Sequence, residues 1–294
     1  MVFSGILSLL LGWSIIIQDS GSRQIVPEEF VKARPGRTSA SSGGRRSTYR
    51  PATARPPRGP KAPSSDAMQL GLTIWRLRPA RTADTGARII VQQEGDSEEW
   101  IPERVESSTP MRMGERVRFS FEAPRTGYLY VIDRERYADG STGEPYLIFP
   151  TLRTRGGENA VAPGRIIEIP GQDDRPNYFT LRHSRPDQIG EMLTVIVTPT
   201  PLEGITIGNK ALPISNEQID QWEKQWGTVT EKFEMAGGAG KTWTKAEQEA
   251  GANVTRQLTQ DDPGPQTIFR VAVKPGAPLL VKVGLRYAKA PVRR

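Results

Sequence analysis

A mainly β chain, folded as an Ig-like or related β-sandwich with a small two-helix insertion, is what this sequence predicts; a partly open barrel is the alternative. Three observations carry the expectation. From Gly114 to Pro150, three strand-like runs follow one another with turn residues between them. On both sides of that stretch lie further short runs of β-branched and aromatic residues punctuated by Gly and Pro, as in sandwiches and barrels. The rhythm breaks once, at Ser215, where helical spacing takes over.

Within the central stretch, Val117, Phe119 and Phe121 alternate with Arg118, Ser120 and Glu122, a period of two that buries one face of a strand and wets the other. Tyr128 to Ile132 is an unbroken apolar run and Tyr146 to Phe149 a second, as expected of strands covered on both faces. Earlier, Leu70, Leu72 and Ile74 share one face with Trp75 and Leu77 on the other, Ala87 to Gln93 makes a further strand, and Glu94 to Glu99 reads as an acidic turn. Later come short strands at Arg165 to Ile169, Tyr178 to Leu181 and Met192 to Thr198.

At Ser215 a helix should begin. Ser215 and Gln218 form a capping box, and Ile214 and Ile219 occupy the positions of a hydrophobic staple. Ile219, Trp222 and Trp226 fall on one face, Asp220 and Lys224 have pairing distance, and Gly227 suits the stop. A shorter helix is expected from Lys245 to Ala250, opened by Thr244 and Glu247, with Ala236 to Gly240 as a flexible link before it. Phe269, Val271 and Val273 then start a return to strands, and Leu279 to Tyr287 forms a last one that docks into the core. The ordered domain should therefore span residues 68–290, with the helical insertion at about 205–262.

The N-terminal part is of another character. Met1 to Ile17 has no charged side chain, and Ser20, Gly21 and Ser22 supply a small-x-small pattern, so residues 1–22 read as a signal peptide or, alternatively, as a membrane anchor formed by residues 1–17. Residues 23–67 read as a disordered basic linker rich in Pro, Arg and Ser. Between Val31 and Pro63 this segment holds nine Lys and Arg and no acidic residue, although the whole chain is only +7. The rest is therefore slightly acidic, and the basicity belongs to the linker. It offers an electrostatic contact to an anionic surface; nucleic acid is disfavoured because aromatics do not interleave with the basic residues.

Composition removes several chemistries. Without cysteine there is no disulfide, thiol nucleophile or thiolate metal site, and the single His183 precludes a multi-histidine metal centre. The segment Gly237, Gly238, Gly240, Lys241, Thr242 resembles a phosphate-binding loop, but Met235 stands where the pattern requires glycine. Asp133, Glu135, Asp139 and Glu144 could offer oxygen ligands to calcium, yet they lack the alternating spacing of such a loop and Arg134 and Arg136 sit among them. No cofactor and no metal are expected. Two candidate surfaces remain: a contact loop with Asp133, Arg134, Tyr137 and Asp139, and an aromatic face with Trp75, Trp100 and Tyr137 for sugar rings. Strand aromatics are more commonly core, and charged loops more commonly solvated.

The order of several short motifs resembles a bacterial family known as domain of unknown function 4384. The matching pieces are Gly114, Glu115 and Val117; Gly127 to Tyr130; Leu147 to Pro150; Ile167 to Pro170; and Leu193 to Ile196, within residues 113–201. The resemblance implies an envelope-associated or exported domain and carries over no catalytic residue. The expected function is thus a non-catalytic binding or scaffolding domain, periplasmic or extracellular, whose partner is an envelope protein or polymer. A carbohydrate-binding module is the first alternative. A hydrolase using Asp133, Asp139, Asp173 or Asp174 is the second.

Overall fold

The computed structural model describes residues 30–32, 34, 66–93, 96–252 and 256–288. Among these residues, fourteen strands form two antiparallel sheets with no closed barrel. The first sheet is organised on β1 (Asp66–Pro79), long enough to pair with three neighbours: β13 (Thr267–Val273) along its first half, β3 (Asp96–Val105) along its second, and β4 (Arg116–Glu122) on its other edge. β2 (Ile89–Gln93) extends it beyond β3, β8 (Ile166–Ile169) and β9 (Phe179–Thr180) beyond β4, and β12 (Thr230–Glu234) beyond β13. The second sheet places β5 (Gly127–Tyr137) between β6 (Tyr146–Phe149) and β10 (Gln188–Thr198), with β14 (Leu279–Arg286) outside β10; β7 (Ala160–Val161) and β11 (Leu212–Pro213) are short additions.

The core lies between the sheets. Alternate residues of β1, β4 and β13, among them Leu72, Phe119, Phe121 and Val271, meet Leu129, Val131, Val195 and Val281 of the second sheet. The other side of β5 is also apolar, as the unbroken run implies: Tyr130 and Ile132 pack with Ile196 and Leu280 under helix α1 (Asn216–Trp226). The helix starts where its cap predicts, the Ser215 hydroxyl accepting from the Gln218 amide at 3.1 Å. Ile214 and Ile219 share its apolar cluster, and Trp222 and Trp226 stack at 5.7 Å.

Four expectations are corrected. The outward face of β4 is not wet: Arg118, Ser120 and Glu122 are buried, because residues C-terminal to β12 fold back over this sheet. Helix α2 (Lys245–Ala252), opened by the reciprocal Thr244–Glu247 box, brings Glu247 onto Arg104, while Glu168 of β8 pairs with Arg118 at 2.9 Å. Residues 96–99 are strand, not turn, since they pair with β2. The 236–240 link is tied down, its Gly240 amide donating to the Arg104 carbonyl and the Lys241 carbonyl accepting from the Arg104 amide. Its backbone is thus committed to a strand edge rather than to phosphate.

The fourth correction falls in the linker. Phe30, in a short helical turn, packs with Ile268 and Phe233, and Arg34 is buried. Its guanidinium makes a forked pair with Glu122 at 2.7 and 2.8 Å and donates to the carbonyls of Thr259, Asp262 and Pro263. Five donations offset the desolvation of a cation that a disordered linker would leave in water. Residues 1–22 and most of the basic linker lie outside the described residues. Among those described, no helix is long and apolar enough to cross a membrane.

Candidate functional site

β5 is longer than the apolar run that announces it. The face that sends Leu129 and Val131 into the core continues with Asp133, Glu135 and Tyr137, because side chains alternate along a strand. Across the ladder, Glu191 of β10 stands directly opposite Glu135, and Tyr287 follows β14 on the same inward face. Three carboxylates and two tyrosines therefore collect where the apolar row stops. Beside them opens a cleft of ≈ 500 Å³, within the usual range for ligand pockets. Its walls are Asp133, Glu135 and Tyr137, the turn residues Thr142, Gly143 and Glu144, Tyr146 of β6, and Ser184 and Arg185 from the loop before β10.

Local chemistry explains how the carboxylates coexist. Like charges opposite each other on a ladder destabilise it, and here each of the facing glutamates accepts a phenolic hydrogen bond: Tyr137 donates to Glu135 and Tyr287 to Glu191. Asp133 has no such relief, and its Oδ1 is buried without a partner. Burial, then the charges of Glu191 and Glu135, push the Asp133 carboxyl up to about 8. Burial also raises Glu191. Tyr287 is raised by burial and by Glu191, and Tyr137 by its bond to Glu135. At neutral pH Asp133 is thus a protonated acid beside ionisable neighbours, a pattern concentrated at functional sites.

The turn that closes the cleft is built to hold shape. Asp139 accepts from the Ser141 amide and hydroxyl at 2.8 and 2.6 Å, and Gly140 takes a left-handed φ of +86°, a conformation that glycine adopts without steric cost. On the far wall the Arg185 guanidinium lies 3.9 Å from the Tyr137 ring centroid and pairs with Asp187. His183, exposed in the same loop, meets Tyr287 edge-on at 5.4 Å.

Of the contact loop expected from sequence, the structure brings Asp133 and Tyr137 together. Arg134 faces the other side of the sheet and donates to Asn216 at the start of α1, while Asp139 serves the turn. The expected aromatic face does not form. Trp75 is buried, donates to Ser120 at 2.7 Å and packs with Trp243; Trp100 is half-buried beneath Arg116; and Tyr137 belongs to the other sheet. The four aspartates of the hydrolase alternative also separate, with Asp174 bonding the amides of Arg155 and Gly171 and Asp173 exposed. Glu135, grouped with Asp133 in the sequence as an oxygen donor, is its neighbour on one strand face, as the two-residue spacing signals, and Tyr146 joins the cleft wall. The residue that sequence reasoning misses is Glu191, which only the β5–β10 register brings opposite Glu135. Among the described residues, no group of three or more acidic or histidine side chains is placed to hold a metal ion. Comparisons with family models, curated proteins and solved structures gave no match.

Proposed function

We propose that the chain is a non-catalytic binding module exported to the bacterial cell envelope, and that the cleft beside Asp133 is its ligand site. The observation that carries this is the cleft itself, a ligand-sized opening where a sandwich strand presents acidic side chains instead of core. The apolar N-terminal stretch, the basic linker and the resemblance of residues 113–201 to domain of unknown function 4384 support the envelope location. Cell fractionation tests it, since a full-length, uncleaved chain confined to the cytosol would count against export.

The lining favours a glycan as ligand. Tyr146 offers a ring face, while Glu144, Thr142, Ser184 and Arg185 offer hydroxyl, carboxylate and guanidinium partners for sugar hydroxyls. Tyr146 is 45% exposed, so Tyr146→Ala should leave the fold intact. Calorimetric titration with soluble fragments of envelope glycan is expected to show saturable binding weakened roughly fivefold in Tyr146→Ala, on the scale of one aromatic contact at about 1 kcal/mol. The hydrolase reading now rests on Asp133 with Glu135 and Glu191, a protonated acid beside carboxylates. Release of shorter fragments during the same titration would replace binding by hydrolysis.

A further inference from the structure

A second cleft, of ≈ 200 Å³, lies between the Thr151–Thr154 turn and the segment leading into β9. Its floor and walls are Ile148, Pro170, Tyr178 and Phe179, and its only charged lining residues are Arg153 and Arg175. The apolar wall is held before any ligand arrives: Arg116 stacks on Tyr178 at 4.7 Å, and Phe179 packs against Phe119 at 6.0 Å. Arg175 is oriented by the Gln172 and Asp174 carbonyls. Arg153 is exposed and has no ion-pair partner among the described residues. The turn sits next to Arg155, the one non-glycine residue with positive φ (53°) among those described, a conformation that costs energy and is enriched where loops have a task.

Apolar surface continues outside the cleft. Leu152 is 49% exposed and Ile207 36%, and both approach Gly157. The Leu152 amide donates to the Gly208 carbonyl at 2.8 Å, so the two apolar residues are held on one connected rim. Both lie on segments that flank the cleft, Leu152 between the lining residues Thr151 and Arg153 and Ile207 two residues before Asn209.

We propose that this rim and cleft dock an extended, acidic and apolar segment of a partner protein. One apolar side chain seats against Tyr178 and Phe179, and a neighbouring Asp or Glu pairs with Arg153. Size decides for a peptide: the volume is below the ~300 Å³ at which small-molecule pockets begin and suits one or two side chains, with the exposed rim left for the flanking residues. Charge decides for an acidic one, since both charged lining residues are arginines and Arg153 awaits a carboxylate. The site is independent of the cleft beside Asp133, and its failure would leave the glycan reading untouched.

Fluorescence anisotropy on the full chain tests it, with the labelled peptide Gly-Leu-Glu-Leu-Asp-Leu-Gly and a counterpart in which Lys replaces both acids. The acidic peptide should bind saturably, Arg153→Glu should weaken it at least tenfold, as expected from losing a charge-assisted contact, and Arg153→Lys should retain most of the affinity. Ile207→Ser, at an exposed position, should weaken it by about threefold, on the order of one buried methylene. Equal binding of the Lys peptide, no loss in Arg153→Glu, or no binding at millimolar peptide would overturn the proposal. Isovalerate displacing the peptide at equal affinity would also overturn it, as the mark of a small-carboxylate site.

Discussion

Asp133 is the residue whose chemistry departs furthest from what its type suggests. Its carboxyl is raised to about 8, so between the ordinary aspartate value and 8 the folded chain holds a proton that the unfolded chain has released. Folding stability must therefore fall as pH rises through that window, and the contribution is complete only at the acidic end. Glu168, raised by burial to about 7, and Glu191, raised by burial, act in the same direction. Asp133→Asn removes the largest of these effects while keeping a neutral side chain of the same shape. At pH 9 the variant should be more stable than wild type by on the order of 2 kcal/mol or more; at pH 4 the two should nearly coincide. Urea midpoints across pH measure this, and parallel curves for the two proteins would contradict the assignment.

At the scale of elements, tethers between distant segments matter more than local propensity. Arg34 reaches Glu122 across 88 positions in sequence, and removing one member of a buried pair leaves the other charged and unpaired. Arg34→Ala should cost about 3–5 kcal/mol in chemical denaturation, whereas the apolar double variant Arg34→Met with Glu122→Leu should recover much of that loss. Ser215→Ala, by contrast, removes a single cap and should cost about 1 kcal/mol. The contrast also explains what could be read in advance. Helix α1 was legible because its cap, staple and apolar face are all local, and β4, β13 and β14 because alternation is local. The burial of Arg118 and Arg104 was not, since Glu168 and Glu247, which cover them, lie 50 and 143 positions away. The candidate cleft was half legible: two-residue spacing aligns Asp133 with Glu135, but only the β5–β10 register places Glu191 opposite.

For the whole molecule, the arrangement separates support from function. Both outer faces of the sandwich are occupied, the second sheet by α1 and the first by α2 with the Phe30–Arg34 anchor, so neither broad sheet face is open as a binding platform. The proposed binding role therefore falls to openings beside the sheets, above all the cleft where the inward row of β5 changes from Leu129 and Val131 to Asp133, Glu135 and Tyr137. Chemical-shift mapping of the ¹⁵N-labelled full chain during titration with soluble envelope glycan fragments tests this most directly. Saturable shifts confined to Tyr137, Thr142, Gly143, Ser184 and Arg185, with the glycan recovered intact, are the predicted result. Shifts centred elsewhere, or none at millimolar glycan, would contradict the cleft as the ligand site.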